Sequence, residues 1–244
     1  MARHSSSRRG HRQEAAEDAF VNTMIEIGAW ARKHARAVTI AVVVLVVAAA
    51  AIVYYVRYQG TLEARAATRL TELRQEVASN NQDLAVRDLQ TFVSRFGGTP
   101  SAQEGRLMLA RLELQAGQTA DAMDLVRKLA QNLDDPLGVN AALLMAAGYE
   151  QQGKFDQAEN IYLDIGKNAR FQFQRRNGLE NAAMLRLEHG NAQGAATLFK
   201  QIVDAMEDND PQRGYYEMLF AEARADAQAP ANPAATPSDS SHNG

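Results

Sequence analysis

The sequence predicts an all-α fold, in which a single transmembrane helix precedes an α-solenoid of about three to four helical hairpins plus a closing helix. Two observations support this prediction. Residues 37–56 contain no charged side chain, and a pattern of glycine, alanine and large apolar residues recurs along the rest of the chain. No segment has the two-residue alternation of a half-buried strand, so we expect helices throughout.

Residues 37–56 are long enough to cross a bilayer as a helix. Twenty residues at about 1.5 Å each span about 30 Å, which is the hydrocarbon thickness of a membrane. Eleven of them are Val, Ile or Leu, and each favours the bilayer centre by about 0.3–0.6 kcal/mol. A buried core strand is a weaker alternative, because strands rarely exceed about ten residues.

A cleaved signal peptide is the second alternative for this segment. Residues 48–51 offer a small-residue cleavage pattern, but the apolar run continues from Ile52 to Val56. The 36 residues before the segment include four acidic ones, whereas a signal peptide begins with a short basic region. We therefore expect an uncleaved anchor. Basic residues flank the segment on both sides, with Arg57, Arg65 and Arg69 after it, but the short N-terminal segment holds seven, which favours a cytoplasmic N-terminus and an extracytoplasmic remainder.

Composition excludes several classes of function. The chain has a net charge of −3, and residues 57–228 hold 19 basic and 24 acidic residues. Nucleic-acid binding requires a basic face, so this class is excluded. The chain has no cysteine, no histidine pair at metal-binding spacing, and no P-loop, GxSxG or HExxH motif. We predict that it is not an enzyme and has no catalytic residue, cofactor, metal or small-molecule substrate.

Three segments after residue 56 share one plan. Each has a glycine, an alanine five residues later, and large apolar residues three, four and seven positions beyond that alanine. The spacing marks one face of a helix, and the glycine suits the left-handed residue that ends the preceding helix. Each unit is therefore predicted to be a helical hairpin. The pairs are Gly117 and Ala122, Gly153 and Ala158, and Gly190 and Ala195; a weaker copy has Asn80, Ala85, Leu89 and Phe92.

These segments resemble the tetratricopeptide repeat. The best match is the set Ala146, Tyr149, Gly153, Ala158 and Tyr162. The copies on either side depart from the family pattern at its aromatic position, where Glu113 and Arg186 stand. The resemblance implies stacked hairpins that bind proteins, since one hairpin cannot bury its own apolar face.

The order of segments resembles the YfgM-like proteins of bacterial inner membranes over residues 16–227. This resemblance implies a single-pass inner-membrane protein whose N-terminus is cytoplasmic and whose repeats are periplasmic. It also implies an adaptor associated with the SecYEG translocon and periplasmic chaperones. A structural or assembly tether of the cell envelope is the alternative function.

The predicted organisation has five segments. They are a disordered basic leader (1–15), an amphipathic juxtamembrane helix (16–36), the membrane span (37–56), the repeat domain (57–227) and a disordered tail (228–244). The expected partners are the lipid bilayer, through residues 37–56, and proteins, through a groove lined by the first helix of each hairpin. Matching the repeat geometry gives the groove residues Glu104, Leu107, Arg111, Leu114, Asn140, Leu143, Ala147, Glu150, Asn177, Glu180, Met184 and Leu187.

The stretch ARFQFQRRNG, residues 169–178, mixes aromatic and basic side chains. We interpret it as a helix start in which Phe171 and Phe173 pack inward. A contact patch for an acidic partner is the alternative. Stacking on nucleic-acid bases is disfavoured by the acidic charge balance of the domain.

Overall fold

A computed structural model describes residues 33–78 and 82–229, and this part of the chain is helical without any strand. The all-α prediction is therefore confirmed. The helices are α1 (Ala35–Ala78), α2 (Gln82–Phe96), α3 (Pro100–Gln115), α4 (Thr119–Val126), α5 (Pro136–Gln151), α6 (Phe155–Asn168), α7 (Gln172–Glu188), α8 (Ala192–Asp204) and α9 (Arg213–Gln228), with a short 3-10 helix (Leu129–Gln131) between α4 and α5.

Two compact units divide the chain, Met1–Thr61 and Leu62–Gly244. In the first unit, α1 is long and apolar enough to cross a membrane, a property that a membrane span and a signal sequence share. The large apolar side chains between Ile40 and Val56 are exposed in the protein itself. The predicted leader and most of the predicted juxtamembrane helix, residues 1–32, lie outside the described residues, as do residues 230–244 of the predicted tail.

Three glycines close the helical hairpins of the second unit. Gly117, Gly153 and Gly190 follow α3, α5 and α7 with φ values of 76°, 70° and 75°. These angles are left-handed, a conformation that glycine adopts without the steric cost of a Cβ atom. The predicted hairpins are thus α3–α4, α5–α6 and α7–α8. The turn of the weaker copy, around Asn80, lies outside the described residues.

The start of α5 follows from its sequence. Asp135 stands at the N-cap, where its Oδ1 accepts a hydrogen bond from the backbone N–H of Leu137 at 2.9 Å. Pro136 occupies the first helical turn, where its missing N–H leaves no intrahelical bond unmade. This aspartate–proline pair therefore fixes where the second complete hairpin begins.

The core of the second unit is built from interfaces between successive helices. One cluster joins α1, α2 and α3 around Leu73 and Leu89. The next joins α3, α4 and α5 around Val126, and the last extends from α5 to α9 around Phe199. The recurring alanines are fully buried in these interfaces, because a larger side chain would hold the paired helices apart.

The last helix, α9, covers the end of the stack. Its inward side contributes Tyr216 and Ala223 to the core cluster around Phe199. Its exposed residues include Glu217, Glu222, Arg224 and Asp226, together with Met218, which is 56 % exposed. The closing helix expected from the sequence is therefore present, with one side in the core and exposed residues of mixed polarity on the other.

Candidate partner-binding groove

The candidate partner-binding surface consists of twelve residues on α3, α5 and α7. Each helix contributes four residues, spaced by three, four and three positions, which aligns them along one side of the helix. We call this surface the groove face. Its members are Glu104, Leu107, Arg111 and Leu114 on α3; Asn140, Leu143, Ala147 and Glu150 on α5; and Asn177, Glu180, Met184 and Leu187 on α7.

Four residues of the groove face are open to solvent. Arg111, Asn140 and Asn177 are exposed, and Met184 is 42 % exposed. Arg111 has neither a hydrogen bond nor an ion pair with any residue that the structure describes. Arg111 can therefore meet a partner without first breaking a contact to the rest of the protein, whereas Asn177 Oδ1 already accepts a hydrogen bond from Asn181 Nδ2 at 3.2 Å.

Two residues of the groove face belong to the core instead. Leu107 and Leu114 are 7 % and 6 % exposed and pack with Val126 in the cluster between α3, α4 and α5. They offer little surface to a partner. The remaining apolar members, Leu143, Ala147 and Leu187, are half-buried against the same series of core clusters, as positions at the edge of a helical interface commonly are.

The three acidic residues of the groove face are engaged within the protein. Glu104 forms a salt bridge with Arg74 of α1. Glu150 accepts a hydrogen bond from the Tyr162 hydroxyl, and Glu180 Oε2 accepts one from Tyr216 Oη at 2.8 Å. Each of these contacts joins a first helix to a neighbouring helix, so the carboxylates stabilise the stack. The unpaired charge that remains among these twelve residues is the guanidinium of Arg111.

Burial raises the pKa of both tyrosines in these pairs. For Tyr162 and Tyr216 the hydrogen bond to the carboxylate acts in the same direction, because a phenolate beside a carboxylate would be repelled. Both hydroxyls therefore remain protonated at neutral pH and donate to their glutamates. Arg176 lies over the Tyr216 ring, with its guanidinium carbon 5.6 Å from the ring centroid. Its Nη1 also forms a salt bridge with Asp210 Oδ2 at 3.2 Å.

Replacing Tyr216 by phenylalanine is expected to lower the free energy of unfolding by about 1–2 kcal/mol, because Glu180 loses a donor in a partly buried site. The loss is measured by urea unfolding of residues 62–244 at pH 7. Since the folded pKa of Tyr216 is raised, its contribution is complete below about pH 10, the ordinary pKa of tyrosine, and disappears as the pH rises through the raised value.

Tyr215 provides the matched control for this substitution. Its ring is exposed and its hydroxyl lies 3.5 Å from Glu180 Oε1. Replacing Tyr215 by phenylalanine should therefore change the stability by less than about 0.5 kcal/mol. Equal losses in the two variants would contradict the assignment of the stabilising bond to Tyr216.

Because Tyr215 adjoins Glu180, it also extends the exposed surface of the groove face onto α9.

Arg186 and Glu113, which stand where the repeat pattern has an aromatic residue, lie in different environments. Arg186 donates from Nη2 to Glu159 Oε1 at 2.7 Å and from Nη1 to the carbonyl oxygen of Gly194 at 3.1 Å. Arg186 thus joins α6, α7 and α8 through hydrogen bonds, whereas an aromatic ring at this position would join them through apolar packing. Glu113, in contrast, is a buried carboxylate whose Oε2 has no hydrogen-bond partner among the described residues.

The prediction that Phe171 and Phe173 pack inward is wrong. They are 39 % and 61 % exposed, and their rings stack on each other with centroids 5.8 Å apart. Arg170 lies over Phe171, 5.4 Å from its centroid. The reason is helical register: α7 buries Gln174 and Gly178, and a residue one position before Gln174 is turned about 100° away from that face.

Comparison with known proteins identifies the family. The sequence model of the family described as tetratricopeptide repeat-like domain matches residues 29–177, which is more than half of the chain. No curated protein matches. Two crystal structures of nearly identical TPR-like repeats, from a Podosopora anserina protein described as a kinesin light chain, are each 18 % identical with a TM-score of 0.52. Each match covers 68 % of this chain, and 88 % and 87 % of the two solved chains, so the fold is shared. The chain belongs to the tetratricopeptide repeat-like family.

Proposed function

We propose that this protein is a membrane-anchored interaction module that holds partner proteins on its groove face. Tetratricopeptide repeat-like domains mediate protein–protein interactions, and the fold is typically a non-enzymatic scaffold. The observation that carries the proposal is the exposure of Arg111, Asn140 and Asn177 along a face whose carboxylates are already paired within the protein. A partner that offers an acidic or polar segment fits such a face best.

The anchor in this proposal is the segment 37–56 of α1. Large side chains such as Ile40, Leu45 and Val53 are exposed around it, and lipid would cover this apolar surface. The backbone of a helix satisfies its own polar groups, as a bilayer requires. On this basis we propose residues 57–227 as the working domain, 16–36 as a helix at the membrane surface, and 1–15 and 230–244 as disordered ends; the predicted tail boundary at 228 moves because Gln228 ends α9.

The proposed location is the bacterial inner membrane, with the N-terminus in the cytoplasm and the repeats in the periplasm. The short basic N-terminal segment supports this orientation, since seven basic residues lie on it, although Arg57, Arg65 and Arg69 follow the span closely. The likeness to YfgM-like proteins supports a role as an adaptor beside the SecYEG translocon and periplasmic chaperones. An envelope tether would use the same groove face with different partners.

Topology is tested by proteolysis of spheroplasts. Protease added to the periplasmic side is expected to remove the chain beyond about residue 60 and to spare an epitope placed at the N-terminus. The protein should also resist alkaline extraction from the membrane. Digestion of the leader with protection of the repeats would contradict the orientation. A mature chain that starts after the apolar segment would contradict the anchor.

Partner binding is tested by photo-crosslinking in intact cells. A photoreactive amino acid at Arg111 or Asn140 is expected to capture a defined protein, at least fivefold more than one at Asn160 or Thr197. Those two control positions are exposed on the second helices α6 and α8. Equal capture at the controls would contradict the groove face as the binding surface. A translocon subunit or chaperone as the captured protein supports the adaptor, and a structural envelope protein supports the tether.

A further inference from the structure

A cavity of about 470 Å³ opens between α2, α3 and α4, away from the groove face. Its lining includes three acidic residues, Glu113, Asp121 and Asp124. The groove residue Arg111 and the cavity residue Glu113 are two positions apart on α3, which turns them about 200° from each other around the helix. The cavity is therefore a surface separate from the groove face, and a ligand bound there would be independent of the proposed function.

Glu113 is the unusual member of this lining. It is 3 % exposed, and its Oε2 has no hydrogen-bond partner in the part of the chain that the structure describes. Gln90 hydrogen-bonds the carboxyl group, and the charge of Asp121 acts on it. Gln90, Glu113 and Asp121 all line the cavity. Burial raises the pKa of Glu113, and the charge of Asp121 raises it further.

The basic residues around the cavity do not neutralise Glu113 and Asp121. Arg106 lines the cavity, but its Nη2 donates to the carbonyl oxygen of Gly97 at 2.9 Å. Arg127 pairs with Asp124 at 2.7 Å, at an exposed position. Within the described residues, neither Glu113 nor Asp121 has an ion pair. A buried carboxyl group that lacks a cation and has an acid beside it is costly, which favours a site where a partner supplies the cation.

Two leucines complete the cavity. Leu109 is buried and Leu125 is half-buried, and both line the same space as the acids. An aliphatic stem that ends in a cation matches this combination of apolar walls and carboxylates. A metal ion matches less well, because no three acidic or histidine side chains among the described residues are grouped as ligands.

We propose that this cavity binds the side chain of a lysine or arginine of a partner protein, with its stem against Leu109 and Leu125 and its cation between Glu113 and Asp121. The site would secure one basic residue of the partner by charge and by burial of its methylene groups. It would also supply the missing hydrogen-bond partner of Glu113 Oε2.

The test uses full-length protein in detergent micelles and the probe Nα-acetyl-lysine amide. Ligand that binds the folded state alone raises the unfolding temperature in a saturable way, and we expect a rise of about 3 °C near saturation. Nα-acetyl-norleucine amide, which has a similar apolar stem without the ammonium group, should produce no rise. A rise of equal size with the norleucine probe, or no rise with the lysine probe, would overturn the proposal.

Three variants assign the effect to the cavity. Asp121→Asn changes an exposed residue and should abolish the rise without disturbing the fold, and Glu113→Gln should do the same. Asp134→Asn removes an exposed acid outside the cavity and should leave the rise unchanged. A rise that persists in Asp121→Asn would place the binding elsewhere. Mg²⁺ and Ca²⁺ are tested in the same way. If one of them raises the unfolding temperature of the unchanged protein but not of Asp121→Asn, and the lysine probe has no effect, the cavity is a metal site and the proposal is overturned.

Discussion

Replacing Gly178 by alanine is expected to lower the free energy of unfolding of the repeat domain by about 3 kcal/mol, the upper end of overpacking costs. A Cβ atom at this position would lie 2.6 Å from the backbone nitrogen of Gly166 and 2.7 Å from the carbonyl oxygen of Tyr162. Both are main-chain atoms of α6, so no side chain can rotate away. Helices α6 and α7 would therefore have to move apart at this contact. Urea unfolding of residues 62–244 measures the change.

Gly214 supplies the control for this prediction. It lies in the first turn of α9, and a Cβ atom there would meet no atom within 4 Å. Alanine at this position should keep or slightly raise the stability, since glycine is a poor helix former. A loss at Gly214 equal to that at Gly178 would show that the close contact between α6 and α7 is not the cause.

Replacing Ala158 by leucine is expected to lower the free energy of unfolding by about 2–3 kcal/mol. Ala158 is 0 % exposed and lies in the core cluster that also holds Ala146 and Tyr162. Three additional carbon atoms have no space there, so α5 and α6 must move apart. Because the substitution changes no charge or hydrogen bond, a drop of several degrees in the unfolding temperature of residues 62–244 reports packing alone.

Ala120 is the matched control for leucine at a helical alanine. It stands in α4, two positions before the buried Ala122, and it is exposed. Leucine at Ala120 should change the stability by less than about 0.5 kcal/mol. An unchanged unfolding temperature for Ala158→Leu would contradict the role of the recurring alanine as the closest point between paired helices.

The hairpins could be predicted because the residues that determine each turn and each buried face lie close together in the sequence. Gly153 and Ala158 lie five residues apart, and the left-handed turn and the buried face depend on those few residues. The contact between Gly166 and Gly178 could not be predicted in this way. These glycines lie within helices, where their sequence suggests only weakened helix propensity, and the packing of α6 against α7 gives them their role.

The groove face could be predicted in outline, and its polar partners could not. Helical spacing aligned the twelve residues, but it did not reveal that Glu180 binds Tyr216, which lies 36 positions later on α9. Such pairs depend on how successive hairpins stack. The exposed pair Phe171 and Phe173 was predicted incorrectly for a related reason, since the first residue of α7 decides which side chains face inward. Partner specificity stays a prediction.

The exposed charged residues of α9 have a consequence for assembly. Stacked hairpins propagate in one dimension, and an apolar terminal face would recruit another copy and continue into a filament. On α9 a second copy would also have to desolvate the exposed charged side chains of Glu217, Glu222, Arg224 and Asp226, which opposes packing there. The charged side chains of the final helix therefore disfavour end-to-end continuation of the stack at this end of the solenoid.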